Sequence, residues 1–331
     1  MWAKRLGAIV LAAALIGGAL LVRRALDDVD DSGGGGSGSG PTTVVCIPEL
    51  ESACRQLAAD DDDVQLTIQD AGVTYERVAA DPSAAPDAWI TLHPWPEMAR
   101  RAATLGSGGD DPFPSTVAVA QSQFAATGRT ARAEVLAAHC EGLTWRCIGD
   151  VAGKPWSTIG GQEAWGVVKP SHADAALSAS GLLSFAVIIG DYWGSTDFTG
   201  TDLENDDAFM SWLNRLEAAI PTYGDAANTP LDILLAQPRI DVVQTTLAEV
   251  NEKAGTQMED LAVGGPADPT AEVVVAGRAD VEALGRALIE QVPSPDDWRR
   301  ADEPHTPTGT GLPSADVMIA LRDLWQGVAR R

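Results

Sequence analysis

The residues best suited to chemistry gather where β-branched runs end and helical patterns begin. In WGVVKPSHADAALSASGLLSFAVIIGDYWG (165–194), Trp165 to Val168 is a short apolar run that Pro170 ends. Ser171 and Asp174 then stand as cap and first-turn residues before Ala175, Ala176, Leu177, Leu182, Leu183, Ala186 and Val187 recur at helical spacing. That pattern is a strand-to-helix corner. The start of such a helix offers unpaired N–H groups and a partial positive charge at the carboxyl end of a strand, where open α/β folds hold ligands. Residues 169–181 therefore read as one wall of a cleft. The chemistry is recognition of a small solute, because hydroxyls and N–H groups make directional hydrogen bonds and an aromatic side chain gives a flat apolar wall. The same logic of strand ends and helix starts gives ten ligand-binding candidates: Pro48, Glu49, His93, Trp95, Gln121, Ser122, Ser171, Ser180, Thr245 and Thr246. Each has a structural alternative, with His93 as a helix cap, Trp95 as core filler, and Ser180 beside Gly181 as a place of close helix packing. Lys169 pairs with an acidic ligand group or stands exposed at the strand end, and Tyr192 and Trp193 edge the groove or pack at the helix end.

Patterns for catalysis and metal binding fail on spacing. GDVAGKP (149–155) is one residue short of a phosphate-binding loop and puts Pro155 where a hydroxyl should hold magnesium. No G-x-S-x-G elbow occurs, and His93, His139, His172 and His305 show no H-E-x-x-H spacing. The stretch holding Asp197, Asp202, Glu204, Asp206 and Asp207 supplies hard oxygens without the spacing or central glycine of a calcium loop, and Asp60 to Asp63 reads as a solvated turn. The chain reads as a non-enzyme with no cofactor and no metal.

A formal net charge of -24 over 331 residues repels nucleic acid and anionic lipid alike. Hydrophobic residues make up 45%, enough for one large or two medium cores. Four cysteines form two close pairs, Cys46 with Cys54 and Cys140 with Cys147, without zinc-site spacing. Local disulfides are the better reading, although four cysteines allow three pairings, and disulfides place the body in an oxidising compartment.

Several elements must position these groups. Leu6 to Val22 is an uncharged apolar run between Lys4, Arg5 and Arg23, Arg24, so residues 1–26 read as a single-pass membrane anchor with an extracytoplasmic body, or as a cleaved signal segment of a secreted protein. Residues 27–42 form an acidic Gly/Ser tether with a reach on the order of 20 Å. Strands are then expected at Thr43 to Ile47, Val64 to Ile68, Ala88 to Leu92, Val117 to Ala120, Trp165 to Val168, Ile240 to Val243 and Glu272 to Val275. Between them lie helices at Glu49 to Ala59, Val73 to Ala80, Met98 to Leu105, Arg129 to His139, Ala208 to Ile220, Asp280 to Gln291 and Ser314 to Ala329. Alternation at this spacing implies a parallel sheet covered on both faces, and Val292 to Pro313 reads as an extended polar surface segment.

In this order the chain resembles bacterial extracytoplasmic solute-binding proteins of the type II periplasmic-binding fold. The resemblance spans residues 43–331 and rests on TVVCIPELESACRQLA, AWITLHPWP, STVAVAQSQ, DVAGKPWSTIGGQEAWGVVKP and RIDVVQTT. It implies an α/β fold of two lobes joined by two crossover strands, near Ser115 to Gln121 and Arg239 to Gln244. Lobe 1 would hold 43–115 and 244–331, and lobe 2 would hold 116–243. It further implies hinge closure on an unknown small solute, for a membrane transporter or a sensor. Two departures stand out. Pro48 and Glu49 replace the small hydroxyl residues with which oxyanion binders begin the first helix, and no lipid-bearing cysteine is present. The alternative is a cell-surface assembly protein on the same fold with a filled cleft.

Overall fold

Alternating β-branched residues make three parallel strands at the amino end of the body: β1 (Thr42–Cys46), β2 (Val64–Ile68) and β3 (Ala88–Leu92). β1 lies in the middle, with Val45 opposite Thr67 of β2 and Trp89 of β3. All five residues of β3 are buried, as expected for a strand covered on both faces. The computed structural model describes residues 40–106, 110–222, 229–265, 269–293, 298–309 and 311–329. The expected anchor, and all but the last residues of the tether, lie outside these. Among the described residues no helix is long and apolar enough to cross a membrane.

The helices of this first half are α1 (Glu51–Ala59), α2 (Ala71–Ala80) and α3 (Trp95–Gly106). A 15-residue strand follows, β4 (Ser115–Arg129), and it belongs to two sheets. Next come α4 (Thr130–Cys140), α5 (Trp145–Val151), β5 (Pro170–His172), α6 (Ala179–Trp193), α7 (Gly200–Asn205), α8 (Asp207–Ala219), α9 (Pro230–Ala236), β6 (Val242–Thr246), α10 (Leu247–Ala254) and β7 (Leu261–Gly264). The chain closes with β8 (Thr270–Gly277), α11 (Val281–Gln291), β9 (Arg299–His305) and α12 (Ala315–Ala329). The strand order is β2-β1-β3-β8-β4-β6-β5, with β7 and β9 also paired to β4. The first stretch of β4 runs antiparallel to β8, Val117 facing Val275. Its last residues run antiparallel to β6 and β7, Ala126 facing Gln244 and Gly264.

This topology moves the second crossing. β6 sits wholly in the second sheet, and the return to the first is made between Gly264 of β7 and Thr270 of β8, not at Arg239 to Gln244. Residues 244–264, expected in the first lobe, therefore belong with the second sheet. The β-branched run at Ile240 to Val243 suits either place, because periodicity reports burial and not partner. A second correction concerns Pro170, which opens β5. Among the described residues β5 is an edge strand paired only with β6, and proline is tolerated at the first residue of such a strand. The expected strand at Trp165 to Val168 is instead a 3-10 turn ending at Trp165, followed by one isolated bridge from Val167 to Pro155. The expected surface segment 292–313 contains β9, whose Arg299 and Arg300 pair with Gln121 and Ala120.

Residues 41–331 form one compact unit. α6 is its axis: every residue from Ala179 to Gly190 is buried, the signature of a helix with no solvent face. Ser178 caps it, its hydroxyl accepting from Gly181 N–H at 3.0 Å. α12 holds the approach to α6 through Arg322, 5% exposed, whose Nε donates to Ala176 O at 3.1 Å while the guanidinium lies 4.8 Å from the Tyr75 ring centre. A smaller separate core beneath α9 and α10 holds Leu231, Leu234, Ile240 and Val250.

Candidate functional site

At the end of β1 the chain turns through Pro48 and Glu49, held by a disulfide from Cys46 to Cys54 in α1. The other disulfide joins Cys140 of α4 to Cys147 of α5, so both local pairings form. Glu49 reaches across to the start of α6. Its Oε1 accepts from the Ser178 hydroxyl at 2.8 Å, the Ser180 N–H at 3.0 Å and the Ser180 hydroxyl at 3.1 Å. A carboxylate is therefore seated where the helix dipole and free N–H groups favour an anion. Its other oxygen, Oε2, is enclosed without a hydrogen-bond partner. Pro48 beside it is exposed. Close by, Asp70 at the start of α2 has its carboxyl pushed up by burial and by the charge of Asp174.

The second helix start is also filled. Thr246 caps α10, its hydroxyl accepting from Glu249 N–H at 3.2 Å, and Ser122 of β4 accepts from Ala248 N–H at 2.9 Å. Thr245 donates its hydroxyl to Glu249 Oε2. Glu249 in turn pairs with Lys253 at 3.3 Å, and Lys253 with Asp232 at 2.8 Å. All three hydroxyl residues are buried. Their roles here are capping and bracing.

The remaining candidates sort in the same way. Trp95 has no exposed surface; it stands edge-on to Tyr75 and donates its indole N–H to Ala179 O at 3.3 Å, so it fills the core instead of forming a wall. His93 directly follows β3, its N–H bonded to Glu272 O at 2.9 Å. Burial pushes its imidazole down, with the Glu272 and Glu97 carboxylates pulling the other way. Glu272, 3% exposed in β8, was not among the candidates. Its carboxylate takes the Thr308 hydroxyl, the Thr308 N–H and, at 2.8 Å, the Gly309 N–H, fastening the segment before α12 over the end of β3. Gln121 faces Glu272 on the β4–β8 ladder. Ser171, expected to cap the helix, is buried in β5 opposite Val243, and the cap position is held by Ser178.

His172, the last residue of β5, is a closely confined ionisable group. Its Nδ1 lies 2.7 Å from Ala173 O and its Nε2 lies 2.9 Å from Glu217 Oε1 of α8, with side-chain exposures of 2% and 9%. Both ring nitrogens face acceptors, a setting that favours the doubly protonated ring. Burial alone would push the imidazole down, but the Glu217 charge and hydrogen bond, the Ala173 carbonyl and the Asp174 charge together hold it above its usual value.

With the helix starts occupied, the open volume lies elsewhere. A cavity of about 520 Å3 sits between the second sheet and the last turns of α6. Ala126 of β4 and Gln244 of β6 form its floor, Trp145 and Leu143 one side, Gly190 and Asp191 of α6 with Ser195 and Thr196 another. Gly265, Pro269 and Gly311 close it, and the first two flank the passage back to the first sheet. Trp145 donates its indole N–H to Gln244 Oε1, which fixes both side chains. None of these residues was legible as a site, since tryptophan in a Cys-bounded loop and glutamine in a β-branched strand carry no motif. Another hollow, of about 460 Å3 between α1 and α11, is lined by Asp60, Asp61, Asp280 and Glu290 and by Thr42 at the amino end of β1, away from the ligand-holding strand ends. Among the described residues no group of three or more acidic, histidine or cysteine side chains is arranged to hold a metal ion. Asp202 and Asp206 of the expected acidic stretch act as helix-start residues.

No protein-family model and no curated protein matches this sequence. Solved structures do match its fold. A ferric binding protein from Campylobacter jejuni superposes with a TM-score of 0.50 at 8% identity, over 87% of this chain and 97% of its own. The fold is that of the periplasmic solute-binding proteins. The periplasmic binding protein P5PA is similar at a TM-score of 0.48 and 13% identity, covering 88% of this chain and 99% of that one. The apo ferric ion-binding protein A of Pasteurella haemolytica gives 0.47 and 11%, covering 88% and 96%.

Proposed function

We propose that this chain is an extracytoplasmic solute-binding protein. It captures a small molecule in the cavity beside its two inter-sheet passages and delivers it to a transporter or a sensor, with the N-terminal segment as its membrane tether. One observation carries the reading: a cavity of about 520 Å3, within the range of small-molecule sites, bordered by β4 and by the β7–β8 return in a solute-binding fold. Capture then works by differential contact, the solute touching both sheets only when the passages are closed. Hydroxyls of Ser195 and Thr196 would orient it, and Leu143 would give it apolar contact. The test is native mass spectrometry of the full chain after gentle purification, beside Val187→Phe and Thr196→Phe variants that fill the cavity from two sides. A small molecule carried by the wild type and lost in both variants supports the reading. Its retention in both variants, or no bound molecule at any solute concentration in a broad screen, refutes it.

A second reading, a surface assembly protein with a filled cleft, is favoured by Glu49 at the start of α6 and by the enclosure of Trp95. Cross-linking in the native membrane distinguishes the two: a stable protein partner retained by the cavity-filled variants favours assembly.

A further inference from the structure

Where one sheet gives way to the other, the chain narrows to a ribbon. Gln121, Ser122 and Gln123 of β4 pair with Glu272, Ala271 and Thr270 of β8, and from Phe124 onward β4 pairs with β6. Among the described residues only Gln121 of these three β4 positions has another strand partner, Arg299 of β9. Two strands bend and twist more readily than a full sheet. The segment between β9 and α12 lies across this ribbon as a strap and meets it at two points. At the first, the Glu272 carboxylate, buried in β8, accepts from the Thr308 hydroxyl at 2.5 Å, the Thr308 N–H at 3.1 Å and the Gly309 N–H at 2.8 Å. Successive N–H groups, with Gly309 at φ +57°, make a concavity suited to an anion. A Cβ on Gly309 would come within 2.8 Å of His93 Nε2, so the strap rests on the imidazole. At the second point a Cβ on Gly311, where φ is +77°, would stand 2.8 Å from Pro269 Cα. Thr308 itself is exposed, so the strap is fastened from beneath and stays open to solvent above.

We propose that this strap is a clasp that sets the bend of the inter-sheet ribbon and, through Gly311, the opening of the cavity. With Thr308 and Gly309 on Glu272, the ribbon is held as it stands. Once they are released, β8 is free to flex at Thr270 to Glu272, and Gly311 parts from Pro269. Both of those residues line the cavity, so their separation opens one of its sides. A mere cover would be fastened to the first sheet alone, whereas this segment is fastened to the ribbon and to the edge of the cavity. The clasp stands on the topology, and its control of a solute rests on the reading of this cavity as the solute seat.

Amide hydrogen exchange of the full chain at single-residue resolution tests the clasp without any solute. Thr308→Val removes the hydroxyl donor and keeps the carboxylate and both N–H groups. It is expected to quicken exchange at Gly309 and in the ribbon, Gln121 to Gln123 and Thr270 to Glu272, about tenfold, the loss of one hydrogen bond to a charged group. Val44 and Val45 of β1 should keep their wild-type rates. Thr308→Ser restores the hydroxyl and should restore the rates, while Glu272→Gln should quicken strap and ribbon further. Ribbon amides that keep their wild-type rates while Gly309 quickens overturn the clasp, and so does a Thr308→Ser chain that exchanges as fast as Thr308→Val. Because Thr308 is exposed, Thr308→Val decides this whatever Glu272→Gln does to the core. The solute is tested separately by native mass spectrometry, in which Thr308→Val should lose a co-purified molecule more readily than the wild type. A molecule held equally well beside a freed ribbon overturns control of the cavity by the strap. A chain that carries no displaceable molecule rejects the seat itself, and the exchange rates still decide the clasp.

Discussion

Replacing Glu217 by glutamine removes the counter-charge of a buried imidazolium while leaving a side chain of the same shape. In the wild type both nitrogens of His172 donate, to Ala173 O at 2.7 Å and to Glu217 at 2.9 Å, and the folded imidazole titrates above its usual value. The unfolded chain gives up this proton near the ordinary histidine pKa of about 6.5. Below that value both states are protonated and the stabilisation is fully present. Above it the folded state alone keeps the proton, so stability falls by up to about 1.4 kcal/mol for each pH unit until the folded imidazole also titrates. In Glu217→Gln the two largest raising influences are lost while burial still pushes the imidazole down, so the folded ring titrates lower and this slope shrinks. The glutamine N–H can still bond to the unprotonated ring nitrogen, so the variant folds. Glu217→Ala cannot supply that bond and leaves a buried group unpaired, at a cost of roughly 3 kcal/mol. Urea unfolding of wild type and Glu217→Gln at half-unit steps from pH 6 to pH 9 reads the effect directly. The gap between the two should narrow as pH rises, because apart from His172 and Glu217 the titrating groups are common to both. A gap that stays constant over this range would falsify the assignment of a charged ring to His172.

Three further outcomes follow from packing. Gly72→Ala would put a Cβ 1.9 Å from Ala176 O and 2.9 Å from Leu177 Cα, so it should cost roughly 2 kcal/mol or more, seen as a lower urea midpoint; unchanged stability would mean the 173–178 segment is not pressed on α2. Ser122→Ala leaves the Ala248 N–H of α10 without its acceptor and should cost about 1–3 kcal/mol, with faster amide exchange confined to α10 and its neighbours. Replacing Cys140 and Cys147 together by serine opens a short loop and should lower stability by about 2.5 kcal/mol on the chain-entropy argument, measured by urea unfolding under oxidising conditions; a loss below 1 kcal/mol would show native-like structure persisting in the unfolded loop.

The first half of the sheet was legible because its residues say one thing at every level. Val44, Val45, Ile90 and Leu92 are β-branched or apolar, flanked by turn residues, and buried on both faces. The same reasoning misplaced the return crossing because Ile240 to Val243 looks the same whether it crosses or stays, and its partners in β4 lie more than a hundred residues away in sequence. Pro170 misled through a general rule that edge strands escape. Glu49 stood out in the sequence as an acidic residue at the first helix start. What no local pattern could give was its destination, Ser178 and Ser180, which is fixed only when α6 packs against the end of β1. Trp95 illustrates the opposite failure, since aromatic residues at strand ends serve walls and cores equally well until a neighbour such as Tyr75 is known.

β8 enters the first sheet between β3 and β4, although it is made nearly two hundred residues after β3. A growing polypeptide that has emerged as far as Arg129 therefore holds two strands with bare facing edges and no way to join them. They can be sealed only after the whole second sheet has been synthesised and the chain has come back. Until then β3 and β4 are open to foreign strands, and the buried Val273 to Val275 run is what closes them.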